Sequence, residues 1–454
     1  RWHIRPVPPI EWDRPGTHRG NPPGTVYRQG GCAALKRFTF LKNAMILTVT
    51  SLLLRTVGIF FRVYLSNKIG AEGMGLYQLI ISIYVLASTF ATSGISTGVT
   101  RLIAEEAGRG TRRSIRRILR RAMFVSVLIG LVSAAAMVFG ADWISRYWLH
   151  DTRAVPALKI LSVGLPFMGI SSCLRGYFIA RRKVSCSSNA QMFEQLVRIG
   201  VILLIIDRFA AMGMSAACAA VMIGDTLAEI GSCLYMGIGY LRDRRKLPTA
   251  GNPPVRKKGI LRELLSIATP ITAGRYLNSA LRTVENLLVP NCLTQYSGSK
   301  ERALSEFGML KGMAMPILFF PSSFLSAFST LLIPEVSEAA VLNQTRRVER
   351  AVHTSLRVTL LLSIPISGVF ALFSRQLGLL IYHSEEVGFL IGVLAPIMPF
   401  MYLESVVDGL LKGLDQQVSS LKYSVLDSVL RITAIFFLVP GRGMQGFLFI
   451  MIVS

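Results

Sequence analysis

The feature that most constrains this chain is its division into about twelve apolar blocks. Each is close to the ~20 residues that cross a bilayer at 1.5 Å rise per residue. They fall near 41–66, 75–98, 119–140, 155–180, 187–207, 213–240, 264–290, 305–335, 354–374, 386–411, 420–439 and 443–454. Length alone would suggest about three soluble domains. An apolar content of 52% against 17% charged residues, with mean hydropathy +0.49, excludes that reading. The expected fold is an all-α polytopic membrane protein. Its last block is cut short at Ser454, and a longer relative is expected to continue past it.

A net charge of +25 would otherwise suggest a nucleic-acid partner. The distribution argues against one, because the basic residues gather between alternate blocks. Arg101, Arg109, Arg112, Arg113, Arg116, Arg117, Arg120 and Arg121 lie between blocks two and three. Arg181, Arg182 and Lys183 follow block four, and Arg242, Arg244, Arg245, Lys246, Arg256, Lys257, Lys258 and Arg262 follow block six. Arg346, Arg347 and Arg350 follow block eight, and Lys412 follows block ten. Every second loop is basic, so the positive-inside rule places those loops and the N-terminus in the cytoplasm of a multi-pass cell-membrane protein.

Residues 1–36 are rich in Pro, Gly and Arg and lack the apolar core of a signal peptide, so disorder is expected there. An N-terminal lobe is expected over 37–240, a basic cytoplasmic linker over 241–263, and a C-terminal lobe over 264–454. A shift of 233 residues places Gly75 on Gly308, Ser96-Thr97 on Ser329-Thr330, Glu105 on Glu338 and Ala107 on Ala340. Six blocks separate the copies, so the repeats run parallel. Such repeats build two six-helix lobes around a central cleft.

An arginine at the middle of a span costs about 2.5–3.5 kcal/mol on insertion scales, so each one needs a reason. Block one carries Arg55 and Arg62, and block seven carries Arg275 and Arg282. Seven residues is nearly two turns, which predicts one face for each pair. These pairs differ by 220 positions, so the repeat requires an insertion of 13 residues, which NCLTQYSGSKERALSE can supply. Guanidinium forks match phosphate oxygens, so four around a cleft point to an anionic substrate, a phosphate or diphosphate. The bland alternatives are neutralisation of buried carboxylates, such as Arg282 by Glu285, or snorkelling. Lys311, near the start of helix eight, is a further candidate contact.

Other blocks carry charges four residues apart. The opposite-sign pairs Glu194/Arg198 and Asp427/Arg431 are expected to neutralise each other. The acidic pairs Asp225/Glu229 and Glu404/Asp408 need basic partners on other helices, or else bind a coupling cation or proton. Prolines Pro166, Pro270, Pro316, Pro321, Pro334, Pro365 and Pro396 interrupt or border helices and supply kinks. Six scattered cysteines and five histidines indicate neither a disulfide framework nor a zinc site. Gly70, Gly73 and Gly75 form no phosphate loop, and no Walker A sequence or nucleophile triad is visible. No cofactor is indicated, a monovalent cation gradient or the membrane potential is the candidate energy source, and transport is favoured over catalysis. Asn343-Gln344-Thr345 matches the glycosylation pattern but is expected in a cytoplasmic loop.

Three long segments resemble a known family: LKGMAMPILFFPSSFLSAFSTLLIPEVSEA from Leu310, PFMYLESVVDGLLKGLDQQVSSLKYSVLDSVLRI from Pro399, and GMQGFLFIMIVS from Gly443. The chain from about 38 to 454 resembles the multidrug/oligosaccharidyl-lipid/polysaccharide exporter superfamily, beside the lipid II flippases. The resemblance implies alternating access and a cargo of undecaprenyl-diphosphate-linked peptidoglycan precursor, with the spore cortex as one destination. It implies cleft arginines in an R-x-x-G segment, here Arg55-Thr56-Val57-Gly58, followed by Arg62, and a basic helix-eight residue at Lys311. Drug-exporting relatives often carry an acid in helix one, and this helix has none. The implied partners are a lipid-linked sugar precursor, the bilayer and cell-wall synthases. Alternatives left open are another polyprenyl-linked polysaccharide unit, a cation-coupled small-molecule exporter, and a non-transporting scaffold for cell-wall synthesis.

Overall fold

The computed structural model describes residues 26–92, 94–108, 112–245, 259–325, 336–337, 339, 342, 344–414 and 416–454. The chain divides into two compact units, Arg1–Met45 and Ile46–Ser454; α1 begins in the first, and every side-chain contact described below lies within the second. Among the described residues every regular element is a helix. The N-terminal half holds α1 (Val26–Thr92), α2 (Ile95–Gly108), α3 (Arg112–Trp143), α4 (Val155–Ser162), α5 (Gly164–Ala180), α6 (Val184–Ala210) and α7 (Met214–Arg245). After them come α8 (Ile260–Ser297), α9 (Lys300–Phe307), a π-helical stretch Gly308–Ala314 and α10 (Met315–Phe319). The chain ends with α11 (Thr345–Leu372), α12 (Ser374–Tyr382), α13 (Glu385–Leu394), α14 (Met398–Gly413) and α15 (Gln417–Val453).

Seven of these stretches are long and apolar enough to cross a membrane, or eight if the bent pair Thr152–Ser162 and Gly164–Ala180 is one span. The twelve apolar blocks exceed that number in part because block eight runs into residues 326–335, which lie outside the described residues, and in part for physical reasons. Two of the seven stretches each contain two blocks. In α1 the backbone breaks at Gly70, with φ 70° and ψ −178°. Leu54 and Arg55 then line the same cavity as Thr92 and Ser96, which a straight helix would hold about 60 Å away. The chain therefore doubles back at Gly70. In α15 the break is Gly443, with φ 57°, and Arg431 reaches Ser454 at 3.0 Å across it. Glycine suits both hinges because a positive φ carries no Cβ penalty. Block seven lies in α8, whose Arg262, Glu263, Arg275, Arg282 and Glu285 dilute its hydropathy with charge.

Outward surfaces are apolar, as lipid requires: Phe139 is 86% exposed, Leu204 81% and Phe437 74%. Trp143, Tyr147 and Trp148 cluster at the end of α3 with ring centroids 5.3–5.9 Å apart, as aromatic residues do at a membrane interface. On α11 the inward face is small and polar (Ser355, Thr359, Ser363, Ser367), and Ser367 donates to the Ala395 carbonyl at 2.7 Å.

The internal repeat is visible as geometry. A Cβ on Gly75 would collide with the backbone carbonyl of Leu304, and one on Gly308 with that of Ala71. Leu304 and Ala71 are themselves related by the 233-residue shift. The two helices cross symmetrically where only glycine fits. The matches Ser329-Thr330, Glu338 and Ala340 lie outside the described residues, as do Pro334 and Asn343. Pro270 and Pro365 are inside α8 and α11. Pro166, Pro316 and Pro396 occupy first turns, where the missing N–H costs little.

Helix α1 begins at Val26, inside the segment 1–36 where disorder is expected. Residues 1–25 lie outside the described residues. The linker expected over 241–263 is helical at both margins, since α7 runs to Arg245 and α8 begins at Ile260. Residues 246–258 lie outside the described residues.

Candidate functional site

The lobes meet along a seam between the second arm of α1 and α8. Thr283 donates to the Ser82 carbonyl at 3.1 Å, Asn286 to the Ser82 hydroxyl at 2.9 Å, and Thr89 to Ser279 at 3.4 Å. A glycine at 94 with φ 73° lets the chain pass close to the Ala268 carbonyl of α8. Beside this seam lies a cavity of about 660 Å³, within the range of small-molecule sites. It is lined by the first arm of α1 (Ser51, Leu54, Arg55), by Thr92 and Ser96, by α5, α6 and α7, and by Arg275 from α8.

Four arginines line it: Arg55, Arg175, Arg198 and Arg275. Arg198 is matched by acids, with Nη2 3.2 Å from Glu194 and Nε 2.6 Å from Asp225. Arg55, Arg175 and Arg275 make no ion pair among the described residues. Among the described residues Arg55 donates to the Ser323 hydroxyl, at 3.3 Å. The Nε of Arg175 is buried without a hydrogen-bond partner. Guanidinium groups without an ion pair leave a positive field in the cavity, of which Arg175 also acts on Glu229.

The seven-residue spacing delivers one arginine of each pair here, not two. Seven residues return the helix to the same face but also advance it about 10 Å. Arg62 therefore lies beyond the cavity, where its charge acts on Tyr77, Asp225 and Tyr382. Arg282 does not line the cavity either; its charge acts on Lys311. Lys311, expected at the cleft, is instead held in the C-lobe, 3.4 Å from Glu285 and 5.8 Å from the centroid of Phe447. Glu285 also faces Arg431 at 3.7 Å, so it serves those two cations and forms no pair with Arg282. Its side chain is buried while Arg282 is exposed, which separates them despite their closeness in sequence.

The acidic pairs part company in the same way. Asp225 finds a basic partner in Arg198, whereas Glu229, one turn along, lines the cavity. Asp408 accepts a hydrogen bond from Ser420 at 2.5 Å, Glu404 is exposed, and neither reaches the cavity. Asp427 pairs with Arg431 at 3.0 Å. Among the described residues, no group of three or more His, Cys, Asp or Glu is placed to hold a metal ion.

Arg175 is the lining residue that pattern reading missed. It stands inside block four with no acid three or four positions away, the same mid-span signal that marks Arg55. The polar residues Ser171, Ser172, Gln191 and Gln195 also line the cavity, and composition gives no hint of them.

At the other end of the seam the lobes are tied by charge. Asp151 is 3% exposed, and Arg153 holds it at 2.8 Å while reaching Glu72 at 2.8 Å. Lys300, from the C-lobe, lies 3.3 Å from Asp151 and donates to the His150 carbonyl. Burial opposes the charge of Asp151, but hydrogen bonds from Arg153, with Lys300 alongside, hold its carboxyl below the ordinary carboxylate value.

Comparisons with known proteins agree with this architecture. The family described as polysaccharide biosynthesis protein matches residues 40–340, and the MatE family matches residues 300–437. Stage V sporulation protein B of Bacillus subtilis (strain 168) is 27% identical over 415 residues, covering 90% of this chain and 80% of that protein. Lipid II flippase MurJ of the same organism is 21% identical over 415 residues, covering 86% and 75%. Among solved structures, an inward-facing multidrug resistance MATE family transporter of the MOP superfamily superposes with TM-score 0.67 at 14% identity, over 89% of this chain and 94% of that one. The protein belongs to the polysaccharide biosynthesis protein family, is similar to stage V sporulation protein B and lipid II flippase MurJ, and shares the fold of a MATE family transporter of the MOP superfamily.

Proposed function

We propose that the protein flips a polyprenyl-diphosphate-linked cell-wall precursor, lipid II-like, from the cytoplasmic to the outer leaflet by alternating access. The observation that carries this reading is the trio Arg55, Arg175 and Arg275, which line one cavity and form no ion pair among the described residues. A sugar-diphosphate headgroup does not cross hydrocarbon unaided, while its prenyl tail is at home there. A charged cavity moves the head as the tail stays in lipid. The alternation of basic loops supports a cytoplasmic N-terminus and a cavity facing the cytoplasm. A cation gradient or the membrane potential drives the return step, with Glu194 and Glu229 as the acids that border the cavity. Cell-wall synthases are the protein partners this role calls for.

The test is translocation of fluorescent lipid II in proteoliposomes by the protein and its Arg55→Ala/Arg275→Ala variant. The expected outcome is transport that falls at least about tenfold in the variant, each charge-assisted contact being worth about 1.5–3 kcal/mol. Equal rates in folded wild type and variant would overturn the phosphate reading. Absence of movement under every imposed gradient would favour the scaffold alternative.

A further inference from the structure

The cavity is not uniformly basic. Arg55 of α1 and Arg275 of α8 face it without matching acids. On α6 and α7 the balance reverses: Arg198 is compensated by Glu194 and Asp225, and Glu229 adds a further carboxylate. Phosphate is therefore attracted to one side and gains nothing from the other.

The α6 side carries a different chemistry. Gln191, Gln195 and Arg198 recur at helical spacing and share one face. The carbonyl oxygen of Gln195 accepts from Arg198 at 2.9 Å, which fixes the amide and leaves its NH2 free to donate. Gln191 lines the cavity and makes no hydrogen bond among the described residues. Glu229, from the neighbouring α7, likewise has none and offers acceptor oxygens. The Gln191 amide, the Gln195 NH2 and the Glu229 carboxylate, which lies in the field of Arg198 and Arg175 but makes no hydrogen bond among the described residues, are partly withdrawn from solvent and suit a neutral ligand dense in hydroxyl and acylamino groups. Such groups left unpaired in a cavity cost free energy that a complementary ligand recovers.

We propose that Gln191 and Gln195, with Glu229, form a saccharide subsite that hydrogen-bonds the first sugar of the headgroup. The diphosphate lies at Arg55 and Arg275, so the charge gradient of the cavity orients the cargo. This inference rests on the flippase reading and adds its source of headgroup selectivity.

The experiment measures equilibrium binding to the detergent-solubilised full chain, with two probes. One is undecaprenyl diphosphate without sugar, and the other is the same lipid bearing an N-acetylated disaccharide. The quantity read is the ratio of the two affinities, which a general loss of folded protein leaves unchanged. Wild type is expected to prefer the sugar-bearing lipid by at least about tenfold, the scale of one or two buried hydrogen bonds. Gln191→Ala/Gln195→Ala is expected to reduce that ratio to about twofold. If this variant does not fold, Gln191→Met/Gln195→Met keeps side-chain length and helix propensity while removing the amides. The Arg55→Ala/Arg275→Ala variant is expected to lose affinity for both probes. An undiminished preference in either glutamine variant overturns the subsite and leaves the phosphate site standing. Equal wild-type affinity for both probes also overturns it. Wild type that binds neither probe overturns the flippase reading and the subsite together.

Discussion

The two lobes each bury a cluster of charge, and the clusters differ in what they leave over. In the C-lobe, Glu285 faces Lys311 at 3.4 Å and Arg431 at 3.7 Å, and Arg431 also holds Asp427 at 3.0 Å. The cluster joins α8, the π-helical stretch and α15, and none of its members lines the cavity. In the N-lobe, Arg198 holds Glu194 and Asp225, and Arg198, Glu194 and Glu229 all border the cavity. In sequence, Glu194/Arg198 and Asp427/Arg431 are the same opposite-sign pair four residues apart. The packing makes one a brace and the other the wall of a site.

That contrast breaks most sharply at the C-lobe cluster. Replacing Glu285 by Ala leaves Lys311 and Arg431 facing each other with their shared carboxylate gone, and should destabilise the protein by about 3 kcal/mol. The measurement is thermal unfolding in detergent, and an unchanged midpoint would show that Glu285 braces nothing. Arg198→Ala strands Asp225 and Glu194, of which Glu194 lines the open cavity, so a smaller cost of about 2 kcal/mol is expected. It should also reduce lipid II translocation several-fold. A variant that loses stability while transporting normally would make the two clusters alike after all.

Smaller effects sharpen the comparison at the seam between the lobes. Gly75→Ala and Gly308→Ala each press a methyl group against a facing carbonyl. About 1–2 kcal/mol is expected for each, and the two values should agree. Unequal costs, read by thermal unfolding of both variants, would show that the crossing is symmetric in shape alone. Lys300→Ala, at the partly exposed end of the seam, should cost about 1 kcal/mol or less. Its effect has a pH signature through Asp151. A carboxyl held below its ordinary value contributes stability above the unfolded-state value, 3.8, and loses it as pH falls through the lower folded-state value. Lobe separation, followed by paired spin labels, should therefore begin only below about pH 4 and at a higher pH in Lys300→Ala. Separation starting near neutral pH would exclude Asp151 as the tie.

Helices, lobes and repeat were legible because hydropathy, charge alternation and a 233-residue shift are properties of one chain read in order. Arg55 and Arg275 were legible because a mid-span arginine demands an explanation wherever it occurs. The partner of Glu285 was not legible. Its cations lie 26 and 146 positions away, on helices whose rotation no local spacing reports. Arg62 and Arg282 were misplaced for a related reason, since periodicity fixes direction around an axis but not depth along it. Gly70 and Gly443 gave no sign of being hinges, because a glycine in an apolar run is equally compatible with close helix packing.

The crossing of Gly75 and Gly308 has a meaning beyond its tightness. A residue on a two-fold axis meets its own copy, and contacts around it come in reciprocal pairs. Gly75 against Leu304 and Gly308 against Ala71 are such a pair, written into one polypeptide. The half-chain could have made this contact as a separate molecule meeting an identical neighbour. Joined in one chain, the halves could diverge in charge while the axis stayed intact, and one lobe kept a cavity where the other acquired a brace.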